Sequence, residues 1–355
     1  MFSYLDKLRL APSDAAELSE LRSSPLWQEH ELAHALLNCC RGLPLPPIEL
    51  TSQGACFLYG KGGYPWGALP YPCEHAELAK LLFMHGEEEK ARKMAAWQGN
   101  TLDHQGRPLS FFLQQEGAPP EPLLRAVEAL IEATGGIPLA TKVADHDLGL
   151  LGLRSENATA MVCATGCKSG MGCFLHGDAG IVNYGPQRLP LGESTAFGLA
   201  GKPIRQEIME TPKGFCMTFQ TALAAPSPRS FDLPFLQDSG YSGLWIEATH
   251  HLGLNEAFFT AELEGFVDPR EVAIVFFGVG ESALVARHHK LNPGSLDRYI
   301  GPAKPVTFGS VTLESLGETA QMEVIPLAGD GHFFGANFLV AFTLASPQLA
   351  FSFKT

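Results

Sequence analysis

The segment Leu244-Trp245-Ile246-Glu247-Ala248-Thr249 decides the fold class, because apolar side chains recur at every second position along it. Successive side chains of a β-strand point to opposite faces of the sheet, so this alternation predicts a strand with one buried face. The same period of two recurs at Val311-Thr312-Leu313-Glu314 and at Phe351-Ser352-Phe353-Lys354. The C-terminal part of the chain is therefore predicted to be β-structure.

From about Leu148 onward, on the order of a dozen such segments are separated by clusters of Gly, Pro, Asn and Asp. The longest apolar strand is predicted at Val272–Val279, and no helix of convincing length interrupts the series. The 37 glycines and 26 prolines of the chain agree with many turns. This pattern predicts large antiparallel sheets packed as a sandwich rather than a parallel α/β sheet.

The first 140 residues have helix signals instead. Ser24 is a good N-cap, and Pro25 follows it at the first helical position. Three further helices are predicted at Glu74–His85, Glu87–Gln98 and Glu121–Thr134. We therefore predict an α+β multidomain protein, with an all-α domain over residues 1–140 and an antiparallel β super-sandwich over residues 141–355.

The charge and hydrophobicity of the chain argue against two classes of binding partner, nucleic acids and membranes. The formal net charge is −13, from 25 Lys and Arg against 38 Asp and Glu, and such a chain repels a phosphate backbone. Nucleic-acid binding is therefore not expected. The N-terminus has no apolar core of signal-peptide length, and no apolar run is long enough to span a bilayer, so we expect a cytoplasmic protein without membrane contact. The eight cysteines are then expected to be thiols.

The motif His30-Glu31-Leu32-Ala33-His34 suggests a metal site. On a helix, His30 and His34 share a face and can bind one zinc ion, while Glu31 activates a water molecule. This motif resembles the zinc metallopeptidase signature, and that resemblance implies two histidine ligands and a glutamate base. The alternative is an amphipathic helix in which His30 belongs to the packing face. This motif therefore predicts zinc only under the peptidase hypothesis.

A second candidate zinc site comprises Cys163, Cys167, Cys173 and His176. Three thiolates and an imidazole can complete a tetrahedral site, but the spacing differs from the usual pairs of closely spaced cysteines. Strand cysteines that pack as small apolar residues are the alternative.

The sequence Gly278-Val279-Gly280-Glu281-Ser282-Ala283 imitates a dinucleotide-binding turn. A helix of about ten residues would have to follow it, but Asn292-Pro293-Gly294 stands there instead. A hairpin turn is predicted, and no cofactor is expected.

Polar side chains in the β region suggest a carbohydrate site. His176, Asn183, Tyr184, His250 and His251 carry groups that hold sugars and move protons when they share an open sheet face. Trp66, in a Gly- and Pro-rich loop, could stack on a sugar ring or lie buried between domains. His288-His289 is a further polar pair. The alternative is that these side chains are surface residues without a function.

The order of parts resembles polysaccharide lyases of the heparinase and alginate-lyase type. The resemblance is carried by Ala76–Gly86 with Glu87–Trp97, which are typical of paired helices in an incomplete α/α toroid, and by the strand-rich stretch Cys173–Gly185. It implies β-elimination, in which a base removes the proton next to a uronate carboxylate. On that mechanism Tyr184 and His176 are the candidate bases, and Asn183 is the candidate neutralising group.

Three functional hypotheses follow. The first is a carbohydrate-active or carbohydrate-binding protein of polysaccharide-lyase-like build, with or without catalysis, in which His176, Tyr184 and Asn183 are catalytic and Trp66, His250 and His251 bind substrate. The second is a zinc metallopeptidase that uses His30, Glu31 and His34. The third is a non-catalytic interaction protein. The sequence predicts neither the substrate nor the oligomeric state.

Overall fold

The structure is a computed structural model that describes most of the β region and part of the helical region. The described residues are 50, 52–55, 72–84, 86–109, 121–164, 170–189, 198–199, 203–224, 241–265, 268–328 and 335–355. The predicted helix at Ser24, the motif from His30 to His34, and the residues Trp66 and Cys167 lie outside them.

Three helices are present among the described residues. Their bounds are Pro72–Met84 for α1, Glu88–Gln98 for α2 and Glu121–Thr134 for α3. Each agrees with a helix predicted from the sequence. α1 packs against α2 and α3, and a 3-10 turn, Gly99–Thr101, continues α2. The toroid-like arrangement and the domain boundary at residue 140 stay predictions.

Sheet 1 has nine strands, in the order β1-β2-β3-β4-β5-β11-β18-β17-β14. The strands in chain order are β1 Lys142–Asp145, β2 Leu150–Arg154, β3 Ala158–Cys163, β4 Gly172–His176, β5 Ala179–Arg188, β11 Val272–Val279, β14 Tyr299–Gly301, β17 Thr319–Pro326 and β18 Phe338–Leu344. Neighbours pair antiparallel throughout.

Sheet 2 has the order β13-β12-β15-β16-β19-β10-β9-β8-β6, and β7 also pairs with β8. Its strands are β6 Gly198–Leu199, β7 Arg205–Thr211, β8 Gly214–Ala224, β9 Tyr241–Leu252, β10 Glu256–Gly265, β12 Ala283–Val285, β13 His289–Leu291, β15 Val306–Phe308, β16 Val311–Ser315 and β19 Gln348–Lys354. All its pairings are antiparallel. The prediction of large antiparallel sheets is confirmed.

The main core lies between the two sheets and is rich in aromatic rings. Tyr184 and Phe276 from sheet 1 pack with Phe259, Phe351 and Phe353 from sheet 2, at ring-centroid distances of 4.8–5.8 Å. Burying one such phenylalanine contributes about 1.5–3 kcal/mol. These contacts account for the face-to-face packing of the sheets.

The apolar run Val272–Val279 is buried on both faces of sheet 1. Ile274 and Phe276 belong to the core between the sheets, whereas Val275 and Phe277 belong to a second cluster that includes Leu339. A strand buried on both faces needs apolar side chains at nearly every position, and for this reason the run does not alternate.

The turn after β11 differs from the prediction. A hairpin was expected at Gly278-Val279-Gly280, but β11 belongs to sheet 1 and β12 to sheet 2, so this segment carries the chain from one sheet to the other. The Asn337 side chain holds it, accepting from the Gly280 N–H at 3.1 Å and donating to the Gly280 carbonyl at 2.8 Å.

Polar bonds join the helical part to sheet 1. The indole N–H of Trp97 donates to Asp145 Oδ2 at 3.2 Å. The guanidinium of Arg154 on β2 donates to the carbonyls of Gly99, Leu102 and Ala140 at 3.1, 2.6 and 2.6 Å. The segment after α2 is therefore held against the sheet. No helix in the described part of the chain has the length and apolar character needed to cross a membrane, and the cytoplasmic location stays a prediction.

Candidate functional site

Six polar side chains meet at the surface where the segment after α2 adjoins one end of each sheet. We name this set the rim cluster. Its members are Gln105, Arg107, Asn157, His176, Asp178 and Ser310. They come from the α2–α3 connection, from the β2–β3 turn, the end of β4 and the β4–β5 turn of sheet 1, and from the β15–β16 turn of sheet 2.

His176 is the centre of one half of the cluster. Its Nδ1 lies 2.8 Å from Ser310 Oγ, and its Nε2 lies 3.2 Å from the side-chain nitrogen of Asn157. Ser155 Oγ donates to Asn157 Oδ1 at 3.1 Å. When the side-chain nitrogen of Asn157 donates to Nε2, the hydrogen of the ring lies on Nδ1 and is donated to Ser310. When the Asn157 amide is turned over, its oxygen accepts from Nε2–H, and Nδ1 accepts from Ser310 instead. The imidazole is half-buried and held at both nitrogens.

Asp178 is the centre of the other half. Its Oδ1 accepts from Gln105 Nε2 at 2.9 Å and from Arg107 Nη1 at 3.1 Å. The hydrogen bond from Gln105 and the charge of Arg107 lower the pKa of this exposed carboxyl. Arg107 also donates to Asp103 Oδ2 at 2.8 Å.

Buried Asp103 holds the loop that carries Gln105 and Arg107. Its Oδ1 accepts from the backbone N–H groups of both residues, at 2.8 and 2.9 Å. The neighbouring His104 is fastened to sheet 1, because Thr159 Oγ1 accepts its backbone N–H at 2.8 Å. Burial lowers the pKa of His104. The loop is thus fixed before any ligand arrives.

Two glycines bring the turns together. Gly177, with φ of +58°, donates its N–H to the Asn157 carbonyl at 2.7 Å. Gly309 has φ of +56°, and a Cβ at this position would lie 2.7 Å from the Cβ of Ala179. The β15–β16 turn can therefore approach the β4–β5 turn closely enough for Ser310 to reach His176.

The structure separates the other predicted residues from His176. Tyr184 is 2% exposed and lies between the sheets, where its hydroxyl is 3.1 Å from His250 Nδ1. Asn183 is fully buried, and its Oδ1 accepts the Tyr184 N–H at 2.9 Å. The expectation of one open sheet face is therefore wrong for Asn183, Tyr184 and His250. Their catalytic and binding roles stay predictions.

The Tyr184–His250 pair is a buried polar pair inside an aromatic core. Burial raises the pKa of Tyr184 and lowers that of His250 to about 3. The adjoining cavity, lined by both side chains and by Cys173, has a volume of about 10 Å³, which is far too small for a sugar ring. His251 is exposed on the opposite face of β9, where its Nε2 lies 3.9 Å from Cys216 Sγ.

Zinc ligation is not supported by the part of the chain that the structure describes. Within it no group of three His, Cys, Asp or Glu side chains is arranged to hold a metal ion. Cys163 and Cys173 are buried thiols, and burial raises the pKa of Cys173. Because Cys167 and the His30–His34 motif lie outside the described residues, both zinc hypotheses stay predictions.

Sequence reasoning found His176 but missed most of its neighbours. Gln105, Arg107, Asn157 and Ser310 carried no signal, since the contact between residues 176 and 310 spans 134 positions. The burial of His250 did have a signal. Side chains alternate between the two faces of β9, and His250 stands two positions after the apolar Ala248, so it points to the same buried face.

No family model and no curated protein matches this chain. Its structural neighbours include a chondroitinase AC lyase, with 11% identity and a TM-score of 0.48. The superposition covers 96% of this chain and 59% of the lyase. A 4-alpha-glucanotransferase from Thermococcus litoralis has 10% identity and a TM-score of 0.34, covering 80% and 49%. The chain thus spans about half to three fifths of the length of these neighbours. At this level of similarity neither indicates an activity.

Proposed function

We propose that this protein binds glycans and that the rim cluster contacts the sugar. The observation that carries the proposal is an exposed, pre-positioned array of hydrogen-bonding side chains drawn from three parts of the fold. Imidazole, amide, hydroxyl, carboxylate and guanidinium groups together offer both donors and acceptors, as the hydroxyls of a sugar require. Arg107 and Asp178 compensate each other's charge, so the array suits neutral hydroxyl groups.

Pre-positioning supports binding because less conformational entropy is lost when a ligand arrives. The two halves of the cluster are held separately, one by Asp103 beneath Arg107 and the other by Asn157 and Ser310 on either side of His176. We infer that a sugar lies across both halves and exchanges some of these internal bonds for bonds to its hydroxyls.

A catalytic form of this proposal assigns the base to His176. Of the three predicted catalytic residues, only His176 is partly exposed, since Tyr184 and Asn183 are buried. In the tautomer whose Nδ1 carries the electron pair, His176 would take the proton next to a uronate carboxylate, a C=C bond would form to the adjacent carbon, and the glycosidic oxygen would leave that carbon and take a proton from the imidazolium. On this proposal Tyr184 and Asn183 stabilise the fold rather than react.

The test is binding of the full chain to an array of neutral and uronate-containing oligosaccharides, followed by calorimetry on the best ligand. We expect His176→Ala and Gln105→Ala each to weaken binding about tenfold, since each removes a polar contact that the bound sugar would shield from water. His146→Ala is the matched control, because His146 is exposed at the other end of β2. Absence of binding to every glycan, or equal effects of His176→Ala and His146→Ala, would overturn the proposal.

The catalytic form has a separate readout. β-Elimination produces an unsaturated uronate, which is followed by ultraviolet absorbance. We expect product from the wild type, none from His176→Ala, and some from Tyr184→Phe. Binding without product would leave a glycan-binding protein that lacks lyase activity.

A further inference from the structure

Three neighbouring strands of sheet 2 carry two sulfur donors and an imidazole in one row. Met209 on β7 pairs directly with Cys216 on β8, and Cys216 pairs directly with His251 on β9. Directly paired residues of an antiparallel sheet point to the same face, with their Cβ atoms about 4.5–5.5 Å apart. We name these three residues the soft row, after the two sulfur atoms that it contains.

The soft row lies on the face of sheet 2 that points away from the core. Phe215 and Met217, on either side of Cys216 along β8, point the other way and belong to the core between the sheets. Met209 is 59% exposed and His251 is exposed, whereas Cys216 between them is 5% exposed. The two outer donors are therefore open to solvent on either side of the thiol.

The separation of Cys216 and His251 suits a shared metal ion. Cys216 Sγ lies 3.9 Å from His251 Nε2. With metal bonds of about 2.3 Å to sulfur and about 2.0 Å to nitrogen, two ligand atoms lie about 3.5 Å apart at a tetrahedral angle and about 4.3 Å apart in a linear arrangement. The observed separation corresponds to a sulfur–metal–nitrogen angle of about 130°. An angle this wide favours an ion that accepts a low coordination number.

The surroundings of Cys216 argue against a nucleophilic cysteine. A catalytic pair of cysteine and histidine has a thiol whose pKa is lowered, so that the thiolate is present at neutral pH. Burial instead raises the pKa of Cys216. The thiol therefore keeps its proton until a stronger Lewis acid than the imidazole displaces it, and a metal ion is such an acid.

The third donor distinguishes between metals. The side chain of Met209 is unbranched and flexible, so its sulfur can reach an ion held by the neighbouring Cys216. Thioether and thiolate sulfur favour copper(I), and imidazole is also a good copper ligand. Structural zinc needs four ligands of the cysteine, histidine and carboxylate kind, and the described part of the chain has no group of even three of these arranged around one point.

We propose that the soft row binds one copper(I) ion, with Cys216 Sγ and His251 Nε2 as the principal ligands and Met209 Sδ as the third. On binding, the S–H bond of Cys216 breaks, a bond between sulfur and copper forms, and the proton passes to solvent. Copper stays monovalent, so no oxidant or reductant is consumed. His251 binds through the electron pair of Nε2 and carries its hydrogen on Nδ1. The site uses none of the rim cluster, and it does not depend on glycan binding.

The experiment titrates the full chain with copper(I), without oxygen, in competition with bicinchoninate, a coloured copper(I) chelator that removes the metal from weakly binding single thiols. Cys216→Ser, His251→Gln and Met209→Leu each remove one donor. Met84→Leu and His288→Gln are the matched controls, because both change exposed side chains far from the row in sequence. We expect each donor variant to bind this ion at least about tenfold more weakly, since even changes around the ligands of a metal cost 10–100-fold, and the controls to match the wild type.

Two of the three donor variants keep the test independent of folding. Cys216 is buried, so its replacement also perturbs packing, whereas Met209 and His251 are exposed and their variants should unfold at the wild-type midpoint without metal. Copper X-ray absorption of the loaded wild type should show both sulfur and nitrogen neighbours. Copper(I) should also raise the unfolding midpoint of the wild type more than that of His251→Gln, because a ligand of the folded state stabilises it.

Four outcomes would overturn the inference in whole or in part. Weaker binding in Cys216→Ser alone would show a single thiol rather than a site. Equal copper in all the variants would assign the metal to other cysteines of the chain. Wild-type affinity in Met209→Leu alone would remove the thioether from the ligand set. Retention of zinc in preference to copper(I), when both are supplied, would overturn the choice of metal.

Discussion

The hydroxyl of Tyr184 on β5 lies 3.1 Å from Nδ1 of His250 on β9, and this contact crosses the core from sheet 1 to sheet 2. Phe259 stacks on the His250 ring at 4.8 Å, and Phe276 stacks on the Tyr184 ring at 5.6 Å. The Tyr184 hydroxyl satisfies Nδ1 of this buried ring, whereas its Nε2 has no hydrogen-bond partner among the described residues. Because water cannot replace either partner in such surroundings, the Tyr184–His250 bond matters to the stability of the core.

Tyr184→Phe should therefore destabilise the protein by about 1–3 kcal/mol, because it leaves a buried imidazole nitrogen without its partner. Urea unfolding at neutral pH measures this change. Tyr299→Phe is the control, since its hydroxyl bonds to an exposed carbonyl and should contribute less. An unchanged midpoint in Tyr184→Phe would show that the inter-sheet bond does not stabilise the fold.

Stability should fall in acid because two histidines are buried in the neutral form. Burial lowers the pKa of His250 to about 3 and that of His75 to about 4, from an ordinary value of 6.5. Below pH 6.5 the unfolded chain binds protons that the folded chain does not, so the free energy of unfolding decreases as pH falls toward 4. Each histidine contributes a slope of about 1.4 kcal/mol per pH unit.

Chemical unfolding between pH 7 and pH 4 measures that slope. His75→Gln or His250→Gln should flatten it, even if the variant is less stable at neutral pH, whereas His146→Gln should not. Proton resonances of the two buried rings that titrate near pH 6.5 in the folded state would contradict the expectation.

Arg154→Met should weaken the attachment of the helical part to sheet 1. The guanidinium donates to the carbonyls of Gly99, Leu102 and Ala140, and its loss leaves these acceptors unsatisfied. We expect a cost of about 3 kcal/mol, since bonds from a charged donor are the stronger class. Limited proteolysis should then cleave near residues 99–109 sooner than in the exposed control Arg205→Met. Equal cleavage rates would show that other contacts hold this junction.

Gly309→Ala should disturb the rim cluster through one contact. The added Cβ would lie 2.7 Å from the Cβ of Ala179, which moves the β15–β16 turn and Ser310 away from His176. Gly294→Ala is the matched control, because its φ of +69° imposes a similar strain with no atom within 4 Å. We expect both to lose about 1 kcal/mol of stability from the left-handed backbone, but only Gly309→Ala to weaken glycan binding. Equal glycan binding by the two variants would show that Ser310 does not belong to the binding site.

The site was less predictable than the fold. His176 was identified from its residue type alone, but its partners Asn157 and Ser310 belong to turns of two different sheets. Tyr184 and Asn183 were equally good candidates by residue type, but both are buried. Residue type indicates what a side chain can do, whereas exposure depends on which surfaces the sheets cover.

The sequence by itself determined where strands and helices form in the part of the chain that the structure describes. The alternation from Leu244 to Thr249, the apolar run Val272–Val279 and the helix Glu121–Thr134 are local patterns, and each of these segments formed the predicted element. Only the tertiary structure decided that β11 and β12 belong to different sheets, that Gln105 meets Asp178 and that Ser310 meets His176. The physical reason is the distance along the sequence over which each effect operates. The hydrophobic period that predicts a strand or helix is visible within a few residues, whereas the packing of two sheets brings together residues more than a hundred positions apart.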